Sequence, residues 1–300
     1  MKHTALSFCI LLTAAVLSAQ QWNVRDHILP DEFAIQAHRG AGNLSPENSI
    51  DAFEIAWKLG VIPEADLRNT KDGVIVAFHD NNFQRILPNA SDDVKKKGVA
   101  DLTLAEVKQL DIGAWKGPEH KGQGVASMAE IIDVLKKFPK RKMYIDIKNV
   151  DFLQLANETK EVHRQLILAS TNYNEILLWK RLAPASKTLH WMGGTEEVLA
   201  VRLDRLEKHR FDSVDQLQIH VNTDAAGKFT PSEDFLYKTG GRLRKYNVLF
   251  QVLPWENAEK NNGGSNPDVY KRLMNLGVAS FATDFPDVNV KAVKEYYGEK

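Results

Sequence analysis

The sequence predicts an α/β fold, a TIM (β/α)8 barrel with a small insertion after the second barrel strand. Short apolar runs that favour strands alternate with helical patterns along the chain, which is typical of a parallel sheet covered by helices. The nine predicted strands and eight predicted helices fit a closed barrel with one small extra element better than an open sheet. Because α/β barrels reach a length of 300 residues as one domain, we expect one domain rather than two.

The composition excludes several classes of protein. The 39 basic and 39 acidic side chains give a net charge of zero, which argues against a nucleic-acid partner bound through bulk charge. With 43% hydrophobic and 26% charged residues, the chain is too apolar to be disordered. We therefore expect a globular protein that is stabilised by a packed core.

Residues 1–19 have the pattern of a signal peptide. A basic start is followed by an apolar run from Thr4 to Val16 and by small residues that end at Ala19. The predicted mature domain, residues 20–300, then loses the only cysteine, Cys9, so disulfides and zinc–thiolate sites are excluded. We expect the protein to be exported, to the periplasm or outside the cell.

The elements follow from local patterns in chain order. Strands are predicted at Phe33–His38, Val61–Arg68, Val74–His79, Met143–Lys148, Glu175–Trp179, Thr188–Met192, Val214–Val221, Val248–Leu253 and Ala279–Thr283. Helices are predicted at Pro46–Leu59, Leu104–Leu110, Met128–Phe138, Phe152–Ala169, Glu196–His209, Ser232–Tyr246, Pro267–Leu276 and Val288–Tyr297.

The first helix has the clearest end signals, because Ser45 can cap it, Pro46 suits its first position and Gly60 suits the residue past its end. The polar interval Asn81–Gln123 breaks the strand–helix rhythm. We therefore predict that it is an insertion on the catalytic face, at the carboxyl ends of the barrel strands.

Acidic residues at the ends of neighbouring strands predict a metal site. Glu64 and Asp66 are two residues apart on one strand, so their side chains point to the same side and repel unless a cation separates them. Asp146 on the next barrel strand offers a third oxygen ligand, and an all-oxygen set suits Mg²⁺ or Ca²⁺. The alternative is a structural salt bridge from one carboxylate to Arg68 or Lys148.

Two histidines and two cations accompany these carboxylates. His38 and His79 follow nearby strands, and histidine is the side chain best suited to proton transfer near neutral pH. Arg39 offers a fork of donors for phosphate oxygens, and Lys148 adds a second positive charge. Together with a metal ion, these groups suit the cleavage of a phosphate ester.

Seven motifs in order along the chain resemble the glycerophosphodiester phosphodiesterase family. They are His38-Arg39-Gly40, Pro46-Glu47-Asn48-Ser49, Glu64-Ala65-Asp66, Thr70-Lys71-Asp72-Gly73, His79-Asp80, Asp146-Ile147-Lys148 and Thr283-Asp284-Phe285-Pro286. The resemblance implies a TIM barrel and the metal-dependent hydrolysis of a small glycerophosphodiester to an alcohol and glycerol phosphate. It also implies the site residues, namely His38 and His79 as general acid and base, Glu64, Asp66 and Asp146 as metal ligands, and Arg39, Lys148 and Trp255 as substrate contacts.

The chain departs from the family pattern in three places, one of which is Val125-Ala126-Ser127, where the family usually has Ile-Pro. The third metal ligand is usually Glu, and the shorter Asp146 leaves open whether it binds the metal directly. The basic segment Trp179-Lys180-Arg181, together with Trp191, His220 and Trp255, indicates an altered leaving-group pocket. The alternative is that Lys180 is a surface residue and His220 fills the barrel. No basic amphipathic helix is evident, so we expect a soluble, deacylated substrate rather than a membrane lipid.

Two other functions stay open on the sequence alone. One is a lyase of the sphingomyelinase D or phosphoinositide phospholipase C type, which uses a substrate hydroxyl as the nucleophile and forms a cyclic phosphate. The other is a non-catalytic binder of phosphoesters or sugars on a decayed barrel. The binder predicts the loss of a central group, yet both histidines, Glu64 and Asp66 are present.

Overall fold

The computed structural model describes residues 22–256, 261–262 and 266–298. The predicted signal peptide lies outside these residues, so its prediction is untested.

Eight parallel strands close into a barrel. They are β1 (Ala34–Ala37), β2 (Ile62–Asn69), β4 (Met143–Ile147), β5 (Leu166–Ser170), β6 (Lys187–Met192), β7 (Gln216–Thr223), β9 (Leu249–Glu256) and β11 (Ser280–Thr283). Each strand pairs in parallel with two neighbours, and β1 meets both β2 and β11, so the first and last strands seal the cylinder. Three short antiparallel strands extend it, namely β3 (Ile75–Ala77), β8 (Phe229–Thr230) and β10 (Asn261–Asn262). The predicted fold class is therefore confirmed.

The described helices surround the barrel or belong to the insertion. They are α1 (Ile50–Lys58), α2 (Asp92–Lys95), α3 (Leu104–Val107), α4 (Met128–Lys137), α5 (Phe152–Glu158), α6 (Tyr173–Leu182), α7 (Glu196–Lys208), α8 (Glu233–Arg244), α9 (Pro267–Asn275) and α10 (Pro286–Tyr297). Among the residues that the structure describes, none of these helices has the length and apolar character needed to cross a membrane.

The lower interior of the barrel is filled by a neutral polar network, which we call the floor and define as Tyr144, Gln216, Gln218, Gln251 and Ser280. The Tyr144 hydroxyl donates to Gln216 at 2.8 Å and accepts from Gln251 at 3.3 Å. Gln251 also donates to Ser280 at 2.9 Å and accepts from Gln218. All five side chains are buried, and these hydrogen bonds offset the cost of removing them from water.

The insertion has an apolar cluster of its own. Phe83, Ile86, Val99, Val107 and Ile112 are buried together with residues of β3 and of the segment before α4. Its helices are α2, which the sequence analysis did not predict, and α3, which is shorter than the predicted Leu104–Leu110 because it ends after Val107. The insertion is thus a small packed unit attached to the barrel through the β2–β3 hairpin.

Two adjacent predictions were wrong. The segment Glu175–Trp179 lies in α6 rather than in a strand, and the barrel strand β5 begins inside the predicted helix Phe152–Ala169. Periodicity does not separate a short, fully buried strand such as β5 from a helix. Asn172 caps α6 by accepting from the backbone of Asn174, a signal that the apolar run concealed.

The first helix begins later than predicted. Ser49 rather than Ser45 caps α1, through a hydrogen bond from the backbone of Ala52. Pro46 to Asn48 instead form a loop that reaches the catalytic end of the barrel. The predicted end is right, since Gly60 follows the helix with a φ of +80°, which glycine adopts without strain.

Candidate active site

The predicted site residues gather at the carboxyl ends of the barrel strands, around a cleft of about 590 Å³. The walls of this cleft include His38, Arg39, Glu47, Arg85, Trp255 and Asp284. His79 and Lys148 line a smaller cleft beside it, and Asp80 contributes to both. Histidines, cations and carboxylates therefore converge at the end of the barrel where catalytic groups are expected.

His38 follows β1 and is held by a carboxylate from the other end of the chain. Its Nδ1 atom lies 2.7 Å from Oδ1 of Asp284, and its Nε2 atom lies 4.0 Å from Glu64. Burial alone would lower the pKa of His38, but the hydrogen bond and charge of Asp284, with the charge of Glu64, raise it to about 9. The ring is therefore an imidazolium at neutral pH, and it can donate a proton.

His79 follows β3 and differs from His38 in the surroundings of its Nε2 atom. Its Nδ1 atom lies 2.7 Å from Oδ1 of Asp80, and its Nε2 atom lies 3.0 Å from a guanidinium nitrogen of Arg39. Since a guanidinium can only donate hydrogen bonds, Nε2 accepts and the ring proton resides on Nδ1. The lone pair of Nε2 therefore faces the guanidinium of Arg39.

Arg39 is placed by an unusual backbone conformation. Its φ is +53°, in the left-handed region that residues other than glycine rarely adopt. This conformation directs its backbone N–H to Glu64 at 3.1 Å, while its side chain contacts His79 and Glu47. Gly40 follows with a φ of +110°, and a Cβ atom there would lie 2.8 Å from the Cβ atom of Ala52. The turn after β1 thus allows α1 to pack closely behind Arg39.

The three predicted metal ligands occupy neighbouring strands. Asp66 of β2 lies opposite Asp146 of β4, and Lys148 contacts both carboxylates, at 3.1 Å and 2.8 Å. Asp66 is also fixed by Asn48, which donates to its Oδ2 and accepts from its backbone N–H, each at 2.9 Å. This pair of bonds explains why Pro46–Asn48 leave the predicted helix.

The electrostatics of these carboxylates indicate a deficit of positive charge. Burial, together with the charges of the two neighbouring carboxylates, raises the pKa of Glu64 above its ordinary value. Burial and the charge of Asp66 likewise raise the pKa of Asp146, against the opposing effect of Lys148. Burial would also raise the pKa of Asp66, but the charge of Lys148 and the hydrogen bond from Asn48 outweigh it and hold that pKa low.

The donor set therefore fits an oxygen-preferring divalent cation in its chemistry. In the described residues, however, no three or more acidic, histidine or cysteine side chains lie close enough together to form a ready-made metal site. Lys148 lies between Asp66 and Asp146, where it neutralises part of their charge.

Three aromatic side chains, those of Trp191, His220 and Trp255, lie next to one another at the barrel mouth. The rings of Trp191 and His220 stack with centroids 5.1 Å apart, and Trp255 lies 6.0 Å from His220. The predicted contribution of the basic segment around Lys180 was wrong. Lys180 lies on α6 and bonds to Asp215 and to the Ser186 carbonyl, before the start of β7 and therefore at the opposite end of the barrel.

Four residues of the site received no role from the sequence, namely Glu47, Asp80, Arg85 and Asp284. Arg85 of the insertion bridges Glu47 and Asp80 with bonds of 2.7 Å to 3.0 Å. Asp80 had a usable signal, because it directly follows His79. The signal for Asp284 was weaker: it follows the last strand, and a closed barrel places that strand beside the first. Arg85 had none.

Comparisons with known proteins agree with this fold and site. The glycerophosphoryl diester phosphodiesterase family matches residues 38–288. A glycerophosphodiester phosphodiesterase of Bacillus subtilis is 31% identical over 309 residues, which cover 97% of this chain and 96% of that protein. A second protein of that species, YhdW, is 40% identical over 108 residues, which cover 36% of this chain and 41% of its own length. A solved phosphodiesterase from Oleispira antarctica, in complex with the product sn-glycerol-3-phosphate, has a TM-score of 0.63 at 22% identity, over 87% of this chain and 96% of its own.

The fold and the match place the protein among the phosphoric diester hydrolases built on a TIM barrel, so the prediction of an enzyme is confirmed. Within that class, the chain belongs to the glycerophosphoryl diester phosphodiesterase family.

Proposed function

We propose that the protein hydrolyses small glycerophosphodiesters to an alcohol and a phosphomonoester such as sn-glycerol 3-phosphate, with His79 as general base and His38 as general acid. The observation that carries this proposal is the difference at Nε2 of the two histidines, because Nε2 of His79 faces the Arg39 guanidinium and Nε2 of His38 faces the Glu64 carboxylate. His79 presents a lone pair, whereas His38 is doubly protonated.

In the proposed reaction, the imidazole rings of His79 and His38 accept and donate the protons that move. Water attacks phosphorus, forms a new P–O bond and loses a proton to Nε2 of His79. The bond from phosphorus to the leaving alcohol breaks, and His38 protonates the departing oxygen. The two histidines then exchange protons with solvent to restore the starting state.

Arg39 couples substrate binding to the proton transfer at His79. Its guanidinium contacts Nε2 of His79 and Glu47 in the structure. A phosphate anion offers it a stronger partner than a neutral imidazole, because charge-assisted hydrogen bonds are the stronger ones. Binding of the phosphodiester would therefore draw Arg39 from His79 and leave the base free to accept the proton of water.

A divalent cation, Mg²⁺ or Ca²⁺, completes the proposed site. Glu64 and Asp66, with Asp146 as the third carboxylate, would hold it, and when bound it would stabilise negative charge on the phosphoryl oxygens. The raised pKa values of Glu64 and Asp146 support this assignment, because they reflect carboxylates that gain from an added positive charge.

Product analysis tests the reaction itself. Glycerophosphodiesters with choline, ethanolamine, glycerol and inositol head groups are incubated with the enzyme in ¹⁸O-labelled water, and the products are identified by mass spectrometry. One labelled oxygen in the phosphomonoester supports hydrolysis. An accumulating cyclic phosphate without label would show a lyase instead.

Leaving-group chemistry tests the roles of the histidines. Replacing either His38 or His79 with Ala should lower kcat by roughly 10²- to 10⁴-fold, as expected for the loss of one general acid or base. Bis(p-nitrophenyl) phosphate needs no protonation of its leaving group, so it should restore turnover in His38→Ala and not in His79→Ala. Rescue of His79→Ala instead would reverse the two assignments.

We also propose that residues 1–19 direct export and are removed, which supplies a periplasmic or extracellular enzyme. The apolar run and the small residues up to Ala19 support this proposal. Cell fractionation with N-terminal sequencing tests it, and the expected mature terminus is Gln20. An intact Met1 on cytosolic protein would overturn it.

A further inference from the structure

We propose that Arg85, delivered by the insertion, is a positioning residue that orients the general base His79 through Asp80. The inference rests on the proposed function and adds a role for the insertion in catalysis. It is carried by a closed ring of five side chains around the cleft, formed by Arg39, Glu47, Arg85, Asp80 and His79.

The ring can be followed bond by bond. Arg85 donates through Nε and one terminal nitrogen to Asp80, at 2.8 Å and 3.0 Å, and through both terminal nitrogens to Glu47, at 2.7 Å. Asp80 accepts from Nδ1 of His79, and Nε2 of His79 accepts from Arg39. Arg39 returns to Glu47 at 3.3 Å, which closes the ring.

Arg85 holds one neighbour of the base, Asp80, directly and the other, Arg39, through Glu47. Burial would raise the pKa of Asp80, but its hydrogen bonds to His79 and Arg85 hold that pKa below its ordinary value, so Asp80 remains an anion. An ionised and oriented Asp80 keeps the His79 proton on Nδ1 and directs Nε2 into the site. A guanidinium that bridges two carboxylates has a fixed geometry that a lysine cannot reproduce.

The alternative is that Arg85 only attaches the insertion to the barrel. It predicts a loss that follows thermal stability and does not depend on His79. The chain offers a matched control, Arg272, whose side chain is 42% exposed against 39% for Arg85. Arg272 likewise bonds a carboxylate, that of Glu233, and a backbone carbonyl, that of Gly227, but it does not line the cleft around His38.

The test is a double-mutant cycle on the full-length enzyme with a glycerophosphodiester that the wild type hydrolyses. Arg85→Gln should lower kcat about 10- to 100-fold and change KM less than about 3-fold, because a positioning residue acts on turnover. In the His79→Ala background the same substitution should change kcat less than about 2-fold, since residues that act as a unit are not additive. Arg85→Lys should retain an intermediate activity, and Arg272→Gln should match the wild type.

An activated substrate and a second variant provide two further tests of the role of Arg85. The loss in Arg85→Gln should persist with bis(p-nitrophenyl) phosphate, because the base acts on the attacking water. If Arg85→Gln does not fold, as judged by circular dichroism, Asp80→Asn replaces it in the cycle with the same expectation. An equal loss with and without His79, or an unchanged kcat, would overturn the positioning role while the proposed function stands. A wild type without phosphodiesterase activity would overturn both.

Discussion

The barrel contains two buried polar regions that differ in charge, the floor and the mouth. In the floor, Tyr144, Gln251 and their neighbours are neutral and satisfy one another with hydrogen bonds. At the mouth, Asp66 and Asp146 share Lys148, and burial raises the pKa of Asp146 and of the nearby Glu64. A complete neutral network stabilises a fold, whereas buried carboxylates with too little positive charge nearby are stabilised by an added cation. The difference predicts that changes at the mouth alter activity and changes in the floor alter stability.

Removal of divalent cations is expected to have the largest effect and bears on the mouth alone. Exhaustive chelation should lower kcat/KM by about 1,000-fold, roughly 4 kcal/mol, because a cation supplies several kcal/mol of charge stabilisation to phosphoryl transfer. Mg²⁺ or Ca²⁺ should restore activity better than Zn²⁺, as measured by assays after stepwise addition. Full activity in the chelated enzyme would show that the carboxylates at the mouth need no cation.

Arg39→Lys should have the next largest effect. The substitution retains the charge but loses the two-pronged contact with phosphate, so kcat/KM should fall about 50-fold, roughly 2.3 kcal/mol, with changes in both kcat and KM. The melting temperature should stay within about 2 °C of the wild type, because the Arg39 side chain lines the cleft and its replacement removes no contact of the hydrophobic core. A large fall in melting temperature with normal kinetics would contradict the separation of the two regions.

The stability of the protein should depend on pH through His190, a buried side chain of β6 that belongs to neither the floor nor the mouth. Burial and the charge of Arg202 lower the pKa of His190 to about 4, while its hydrogen bond to Ser170 opposes the shift. The unfolded chain then binds more protons than the folded one between about pH 6.5 and pH 4, so stability falls as pH falls through this window. The loss should reach about 2 kcal/mol at pH 5.

Urea unfolding at pH 7 and pH 5 measures this loss. His190→Gln does not titrate, so its stability should fall less than that of the wild type over the same interval. Equal losses in both proteins would show that other groups account for the acid sensitivity.

Tyr144→Phe should have the smallest effect and tests the floor. The substitution leaves Gln216 without its hydroxyl donor, and it should lower the free energy of unfolding by about 1 kcal/mol. The kcat/KM of the folded enzyme should stay within about 2-fold of the wild type. A loss of activity larger than the loss of stability would show that the floor also controls the mouth.

Local patterns in the sequence predicted the barrel and several polar groups that follow its strands. Strand ends carry their polar residues in adjacent positions, so Glu64 with Asp66 and His38 with Arg39 could be recognised locally. The helix α6 was mistaken for a strand because an apolar run of that length fits both elements.

Partners that are distant in the chain were beyond local patterns. Ser45 and Pro46 satisfy the rules for a helix start, yet the loop they open is required by the contact of Asn48 with Asp66. Arg85 lies in a polar segment whose only local signal is that of a loop. Its role becomes visible when folding brings it to Asp80 and Glu47.

The pairing of His38 with Asp284 has a consequence for how the protein is made. These side chains are 246 positions apart, and the strands that carry them are the first and the last of the barrel. A ribosome must therefore synthesise nearly the entire chain before this pair can form. If His38 is the general acid, as proposed, the growing polypeptide therefore gains the carboxylate partner of that acid only when the last strand seals the cylinder.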